Sequence, residues 1–375
     1  MDLDKSHESW LIDKRDGTPF LDMFSMYASG CIGYNHPSIL ANKDQLGRVA
    51  LYKPTLSDIY VVEYAEFLQT FNEIGMPKYL PHAFFIEGGA LAVENALKTA
   101  FDWKIRKNIS EGRDEKGYKV IHFKEAFHGR SGYTLSLTNT DPIKIKYFPK
   151  FDWPRFDNPY LSFPETKHSI EHIEHKEGKV LKDIKDFLDK EAEDICSIII
   201  EPIQGEGGDN HFRDEFFVGL KKLCEDYSLL LIFDEVQTGI GITGKMWAHQ
   251  HFSVKPDIIC FGKKTQVCGI LAGSKIDEIE DNVFKKSSRL NSTFGGNLTD
   301  MIRFKIILEV IRDEKLLKNA TKQGKYLLNK IIELENEFPA YVTNGRGRGL
   351  FCAFDLPSET ERNNLFKIML KNKLL

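Results

Sequence analysis

The sequence predicts an α/β protein, and three observations carry that prediction. Short, fully apolar runs alternate with stretches whose apolar residues fall at helical spacing. Several of those runs end on a charged residue or a glycine pair, as sheet strands do where an α/β protein places its working residues. The chain is 375 residues long and 42 % hydrophobic, enough for a large core and for more than one domain.

The predicted strands, in chain order, are Ala83–Ile86, Val120–Phe123, Ser197–Ile200, Leu229–Phe233, Asp257–Phe261 and Leu350–Leu356. Each is a short apolar run bounded by polar or turn residues. Between them, Ala90–Trp103 and Glu215–Leu223 have helical periodicity, which argues for a mostly parallel sheet covered by helices. Thr166–Asp194, rich in Lys, Glu and Asp, reads as a surface helix region. Met301–Leu334 is again helical and leads into the last strand, which suggests a second, smaller α+β domain. The start, Thr18–Leu40, holds turn residues and short strand-like pieces. The expected division is 1–48 as a segment of the small domain, 49–300 as the large domain and 301–375 as the rest of the small one.

The net charge is −4, with no basic block to suggest nucleic acid. No run approaches the length of a membrane span, and the N-terminal MDLDKSHESW has no apolar signal segment. Six scattered cysteines form no CxxC pair and read as buried hydrophobes of a reducing, cytoplasmic compartment.

Three motifs invite functional readings that their context does not support. His168, His172 and His175 would share a helix face, but Lys and Glu flank them, so a solvated face is expected and no metal. Gly239–Lys245 matches GxxxxGK, yet Met246 stands where a phosphate loop needs a hydroxyl. GRGRG, Gly345–Gly349, precedes a strand instead of following one; a tight turn is expected.

A different constellation carries chemistry. Gly88 and Gly89 follow a strand and open a helix, whose free amides suit a phosphate. Asp234 ends an apolar strand, where a carboxylate needs a partner. Lys263 and Lys264 follow another strand after Gly262, and Phe127 follows a third. Phosphate site, strand-end Asp, strand-end Lys and an aromatic cover are together what pyridoxal phosphate requires. Lysine holds the aldehyde as a Schiff base, and aspartate keeps the ring nitrogen protonated.

The chain resembles the class III aminotransferases of the fold type I pyridoxal-phosphate enzymes, over nearly its whole length. The marks are Gly88–Lys98 (GGALAVENALK), FHGR at Phe127–Arg130, EPIQGEGG at Glu201–Gly208, DEVQTG at Asp234–Gly239, PDIICFGK at Pro256–Lys263 and STFGGN at Ser292–Asn297. The resemblance implies a large domain with a mostly parallel seven-stranded sheet and a homodimer with shared active sites. It implies Lys263 as the Schiff-base lysine, with Lys264 at a position where many members carry a small residue. Gly89, Ala90, Phe127, His128, Asp234, Gln237 and Thr293 would hold the cofactor, Thr293 in the other subunit.

GKKTQVCG, FHGRSGYTLSLTNT, FPKFDWPR and SRLNSTFGGNLTD are most similar to the branch that moves the terminal amine of L-lysine to 2-oxoglutarate. There Arg130 would clamp the distal carboxylate, Glu206 would act as a gate, and Asn291 would make a polar contact. Ornithine or 4-aminobutyrate as donor, or a cofactor-binding protein of weak turnover, are the alternatives. Members of the family continue past the position of KNKLL, and the arginine expected to receive the glutamate carboxylate lies there.

Overall fold

The computed structural model describes residues 1–52 and 59–375. A hairpin of β1 (Trp10–Ile12) and β2 (Pro19–Leu21) opens the chain. It leads through a one-turn helix α1 (Ser25–Ala28), whose four residues all have positive φ, to α2 (Pro37–Ala41) and α3 (Lys43–Ala50). Next come α4 (Val62–Ile74), β3 (His82–Ile86), α5 (Gly89–Ser110), β4 (Lys119–Phe123), α6 (Gly132–Leu137), β5 (Arg155–Phe156) and α7 (Lys167–Glu191). They are followed by β6 (Ile195–Ile200), the small pair β7 (Ile203–Gln204) and β8 (Asn210–His211), α8 (Asp214–Asp226), β9 (Leu230–Asp234), β10 (Ile258–Phe261) and β11 (Cys268–Ala272). The chain closes with α9 (Leu298–Asp313), α10 (Leu316–Glu337), the hairpin β12 (Thr343–Arg348) and β13 (Phe351–Asp355), and α11 (Glu359–Lys371).

The central sheet has seven strands in the order β3-β11-β10-β9-β6-β4-β5. The run β10-β9-β6-β4-β5 is parallel, and β11 is antiparallel to both neighbours. Two antiparallel steps restore direction, so β3 points the same way as β10. The C-terminal ends of β3, β4, β6, β9 and β10 therefore lie along one edge, where an open α/β sheet binds ligands.

Both faces of the sheet are covered. On one, α5 sets Val93, Ala96, Leu97, Ala100 and Trp103 against Ile199, Ile232, Ile258 and Ile270. Alanine at 92, 96 and 100 leaves no bulk between this helix and the sheet. On the other face, Val180, Ile184 and Leu188 of α7 and Phe216, Phe217 and Leu220 of α8 pack on Ile198, Leu231 and Phe233. The same core runs on through Phe67, Phe71, Phe85, Met301, Phe304 and Ile307, so α4 and α9 pack into it. Burying each such aromatic is worth roughly 2–3 kcal/mol.

The six predicted strands all form. In the central sheet two strands were not predicted, β11 and the two-residue β5; outside it, β1, β7, β8 and β12 were not predicted either. The helical stretch Met301–Leu334 is two helices, broken at Lys315 with φ 56. GRGRG is not a turn leading into a strand: Gly345–Arg348 are themselves strand β12, and the turn is confined to Gly349 (φ 61) and Leu350. Gly349 packs on Ile242 and Thr243, and Leu350 N donates to the Ile242 carbonyl at 2.8 Å. The GIGITGK segment is thereby an internal connection pressed against the C-terminal hairpin. His168, His172 and His175 are all exposed on α7. No helix among the described residues is long and apolar enough to cross a membrane.

Candidate active site

The strand ends converge through glycines. Gly88 has φ 94, open to glycine at no steric cost, and turns the chain from β3 into α5. A side chain at Gly89 would come within 2.9 Å of Val236 Cγ1, and one at Gly262 within 3.2 Å of that same atom. The α5 N-terminus, the loop after Asp234 and the turn before Lys263 are thus in contact. The N-terminus of α5 has no side-chain cap and no acidic residue in its first turn. Its leading amides are free for an anion. Gly129 has φ 116, and a side chain there would meet Ala90 Cβ at 2.6 Å, so the loop after β4 lies directly on the start of α5.

The floor of the site is ionic and buried. Asp234 Oδ2 is 2.7 Å from His128 Nδ1, and Asp234 Oδ1 accepts the Val236 amide at 3.1 Å. Glu201 follows β6 directly; its Oε1 accepts from Phe127 N at 3.1 Å and its Oε2 from Gly205 N at 3.3 Å. Burial opposes charge on His128, but the hydrogen bond and charge of Asp234, with help from Glu201, hold its pKa above the usual value. Burial pushes the Glu201 carboxyl up to about 7, against the pull of His128. His128 Nε2 is buried and has no hydrogen-bond partner among the described residues.

The adjacent lysines have opposite surroundings. Lys264 is buried, and its ammonium donates to the carbonyls of Gln237 at 2.6 Å and Ala28 at 3.2 Å. It ties the N-terminal segment to the loop after β9, beside a cavity of about 800 Å³ that Lys263 does not line. Lys263 is half-buried and makes no side-chain hydrogen bond or ion pair among the described residues. Burial lowers its pKa, while Asp234 and Glu201 act the other way. Its backbone stands at φ 55, a left-handed conformation that costs a lysine on the order of 1 kcal/mol. Such strain is retained where position matters more than stability.

Gln237 lies on Gly205, where any side chain would meet its amide. Arg130 is exposed and has no ion-pair partner among the described residues. It directly precedes α6, whose N-cap Ser131 forms a capping box with Thr134. Glu206 is ion-paired with Lys144, whose ammonium lies 5.7 Å from the centroid of the Phe127 ring. Asn291 and Thr293 stand apart on the turn before α9: both are exposed, and the neighbouring Gly295 and Gly296 pack against Phe85. Within one chain, no hydrogen bond links Thr293 to the other candidates among the described residues.

Sequence reasoning thus brought Gly89, Ala90, Phe127, His128, Asp234, Gln237 and Lys263 to one place. It missed Glu201 and Lys144. Glu201 carried a readable signal, a carboxylate ending an apolar strand as Asp234 does. Lys144 carried none.

The donor set suits pyridoxal phosphate: free helix amides for a phosphate, a buried carboxylate for a protonated ring nitrogen, an unpaired lysine for an aldehyde and a half-buried phenylalanine at the side. Fold and site together define a pyridoxal-phosphate-dependent transferase. The family model "Aminotransferase class-III" matches residues 1–374, and the chain belongs to that family. It is 50 % identical over 371 residues to an L-lysine-epsilon aminotransferase of Mycobacterium tuberculosis, spanning 98 % of this chain and 82 % of that one. It is 45 % identical over 372 residues to the enzyme of the same name from Streptomyces clavuligerus, with 98 % and 81 % covered. The solved lysine aminotransferase of M. tuberculosis in its internal aldimine form superposes with a TM-score of 0.97 at 49 % identity, covering 100 % of this chain and 86 % of that one.

Proposed function

We propose that the protein transfers the terminal amino group of L-lysine to 2-oxoglutarate, giving 2-aminoadipate 6-semialdehyde and L-glutamate in two alternating half-reactions. The observation that carries this reading is the contrast between Lys263, unpaired beside buried carboxylates, and Arg130, unpaired at the exposed rim. One is suited to the reacting amine and the other to a carboxylate held away from it. When bound, pyridoxal phosphate supplies the electron sink for the carbon that loses its proton.

The chain's residues do the rest. Lys263 Nζ, with its lowered pKa, would be the group that holds the cofactor's aldehyde and the base that carries the proton. Asp234, held by His128, would stabilise a proton at the ring nitrogen. The amides of Gly89 and Ala90 would hold its phosphate, with Phe127 and Gln237 placed to border its ring. Arg130 pairs with the α-carboxylate of lysine; Glu206 and Asn291 border the substrate.

A homodimer belongs to the same proposal, with Thr293 reaching the phosphate of the second subunit's cofactor. Its support is apolar surface around that turn: Tyr60 is 78 % and Phe294 56 % exposed. Tyr60 stacks on Tyr64, which packs on Phe85, the residue the turn covers. Six free cysteines fit a cytoplasmic location.

A panel of amine donors with 2-oxoglutarate tests the reading. Lysine should give the highest kcat/KM with stoichiometric glutamate. Faster turnover of ornithine or 4-aminobutyrate would contradict it.

A further inference from the structure

Glu201 stands directly after β6, only 5 % exposed, and both of its oxygens are hydrogen-bonded. Oε1 takes the Phe127 amide and Oε2 the Gly205 amide. Phe127 belongs to the loop after β4 and Gly205 to the loop after β7. A side chain at Gly205 would come within 2.5 Å of Gln237 Oε1, so that loop in turn lies on Gln237. One buried carboxylate thereby braces, from behind, the segments that border the cofactor's ring. Only an acceptor at both oxygens fits, because a glutamine would turn an N–H donor toward one of the two amides.

The charge has a second consequence. Asp234 at the end of β9 and His128 after β4 act on Glu201, and Glu201 acts on Lys263 after β10. Asp234 and Glu201 both favour the charged form of His128. A protonated ring nitrogen over Asp234 brings a second positive charge, and Asp234 alone cannot balance both. With Glu201 ionised, two negative charges stand against two positive ones beneath the ring. Burial pushes the Glu201 carboxyl up to about 7 against the pull of His128, so a further positive charge nearby favours its ionised form.

We propose that Glu201 is a positioning residue for the cofactor: its carboxylate braces the two loops beside the ring and is the second counter-ion beneath it. This rests on the placement of the ring over Asp234 in the reading above. Two probes added to the apoprotein test it. Pyridoxal phosphate needs neutral Lys263 to load; pyridoxamine phosphate lacks the aldehyde and reads the floor alone. Glu201→Gln keeps the size but loses the charge and one acceptor, and should weaken pyridoxamine phosphate binding about tenfold or more. It should also move the pH midpoint of pyridoxal phosphate loading down by about half a unit or more, because the Glu201 charge raises the Lys263 pKa. A merely structural glutamate would lower the melting temperature and leave that midpoint in place. Glu201→Asp keeps the charge and shortens the reach, and it serves even if the glutamine variant fails to fold. It should hold the midpoint within about 0.2 units and weaken pyridoxamine phosphate about threefold or more. An unmoved midpoint in Glu201→Gln, or unchanged pyridoxamine phosphate binding in Glu201→Asp, would overturn this proposal alone. A wild-type apoprotein that binds neither probe would overturn the underlying reading and the proposal with it.

Discussion

The floor and the rim of the site are built differently. On the floor, His128, Asp234 and Glu201 are buried, and their contacts lie between 2.7 and 3.3 Å, each anchored at the end of a sheet strand or the loop after it. At the rim, Arg130 is exposed and has no ion-pair partner among the described residues, and Lys144 and Glu206 come from loops. Rigid strand ends hold the groups whose geometry the chemistry cannot relax. Loops carry the more exposed charges at the rim. Lys263 and Lys264 repeat the contrast within two residues: the second donates to backbone carbonyls, and the first has no side-chain partner among the described residues.

Substitutions should separate the two regions, and the floor should give the larger effects. Lys263→Ala should abolish both borohydride-trappable cofactor and transamination. Asp234→Asn removes the charge that pairs with His128 and, in the proposed function, with the ring nitrogen; the half-reaction with lysine should slow at least about a hundredfold, while cofactor remains bound. An unchanged rate would remove Asp234 from the chemistry.

At the rim, Arg130→Ala should lower kcat/KM for lysine on the order of a hundredfold, through a lost bidentate carboxylate pair. A simple alkyl amine should lose far less; equal losses would make Arg130 structural. Lys264→Met should leave the lysine half-reaction within about threefold. It frees the carbonyls of Ala28 and Gln237, so amide exchange around Ala28–Gly30 should quicken.

The last prediction concerns pH. Only the neutral amine attacks an aldehyde, and burial lowers the pKa of Lys263 below its ordinary 10.5. Cofactor loading of the apoprotein should therefore rise with pH and level off below that value. A midpoint at or above 10.5 would mean that Lys263 is solvated like a surface lysine.

On the floor, Asp234 was legible because it ends an apolar run, and a charge at such a place demands a partner; Glu201 ends one too and was missed, and His128, in the loop after β4, entered only with the FHGR resemblance. The sheet was legible wherever strands are rich in Ile, Leu, Val and Phe. β11 escaped notice because Gly269 and Ala272 have weak strand preference and its antiparallel turn follows the lysines at once. β5, Arg155–Phe156, is too short for any periodicity. The break at Lys315 needs a left-handed lysine, which no local pattern announces. Lys144 meets Glu206 only through the folded sheet, as partners distant in sequence do.

The central claim is that Lys263, not its neighbour, is the reactive lysine. Borohydride reduction of the cofactor-loaded protein, followed by peptide mass mapping, tests it most directly. The phosphopyridoxyl group should be found on Lys263, with Lys264 unmodified. The group on Lys264, or on neither lysine, would contradict the account.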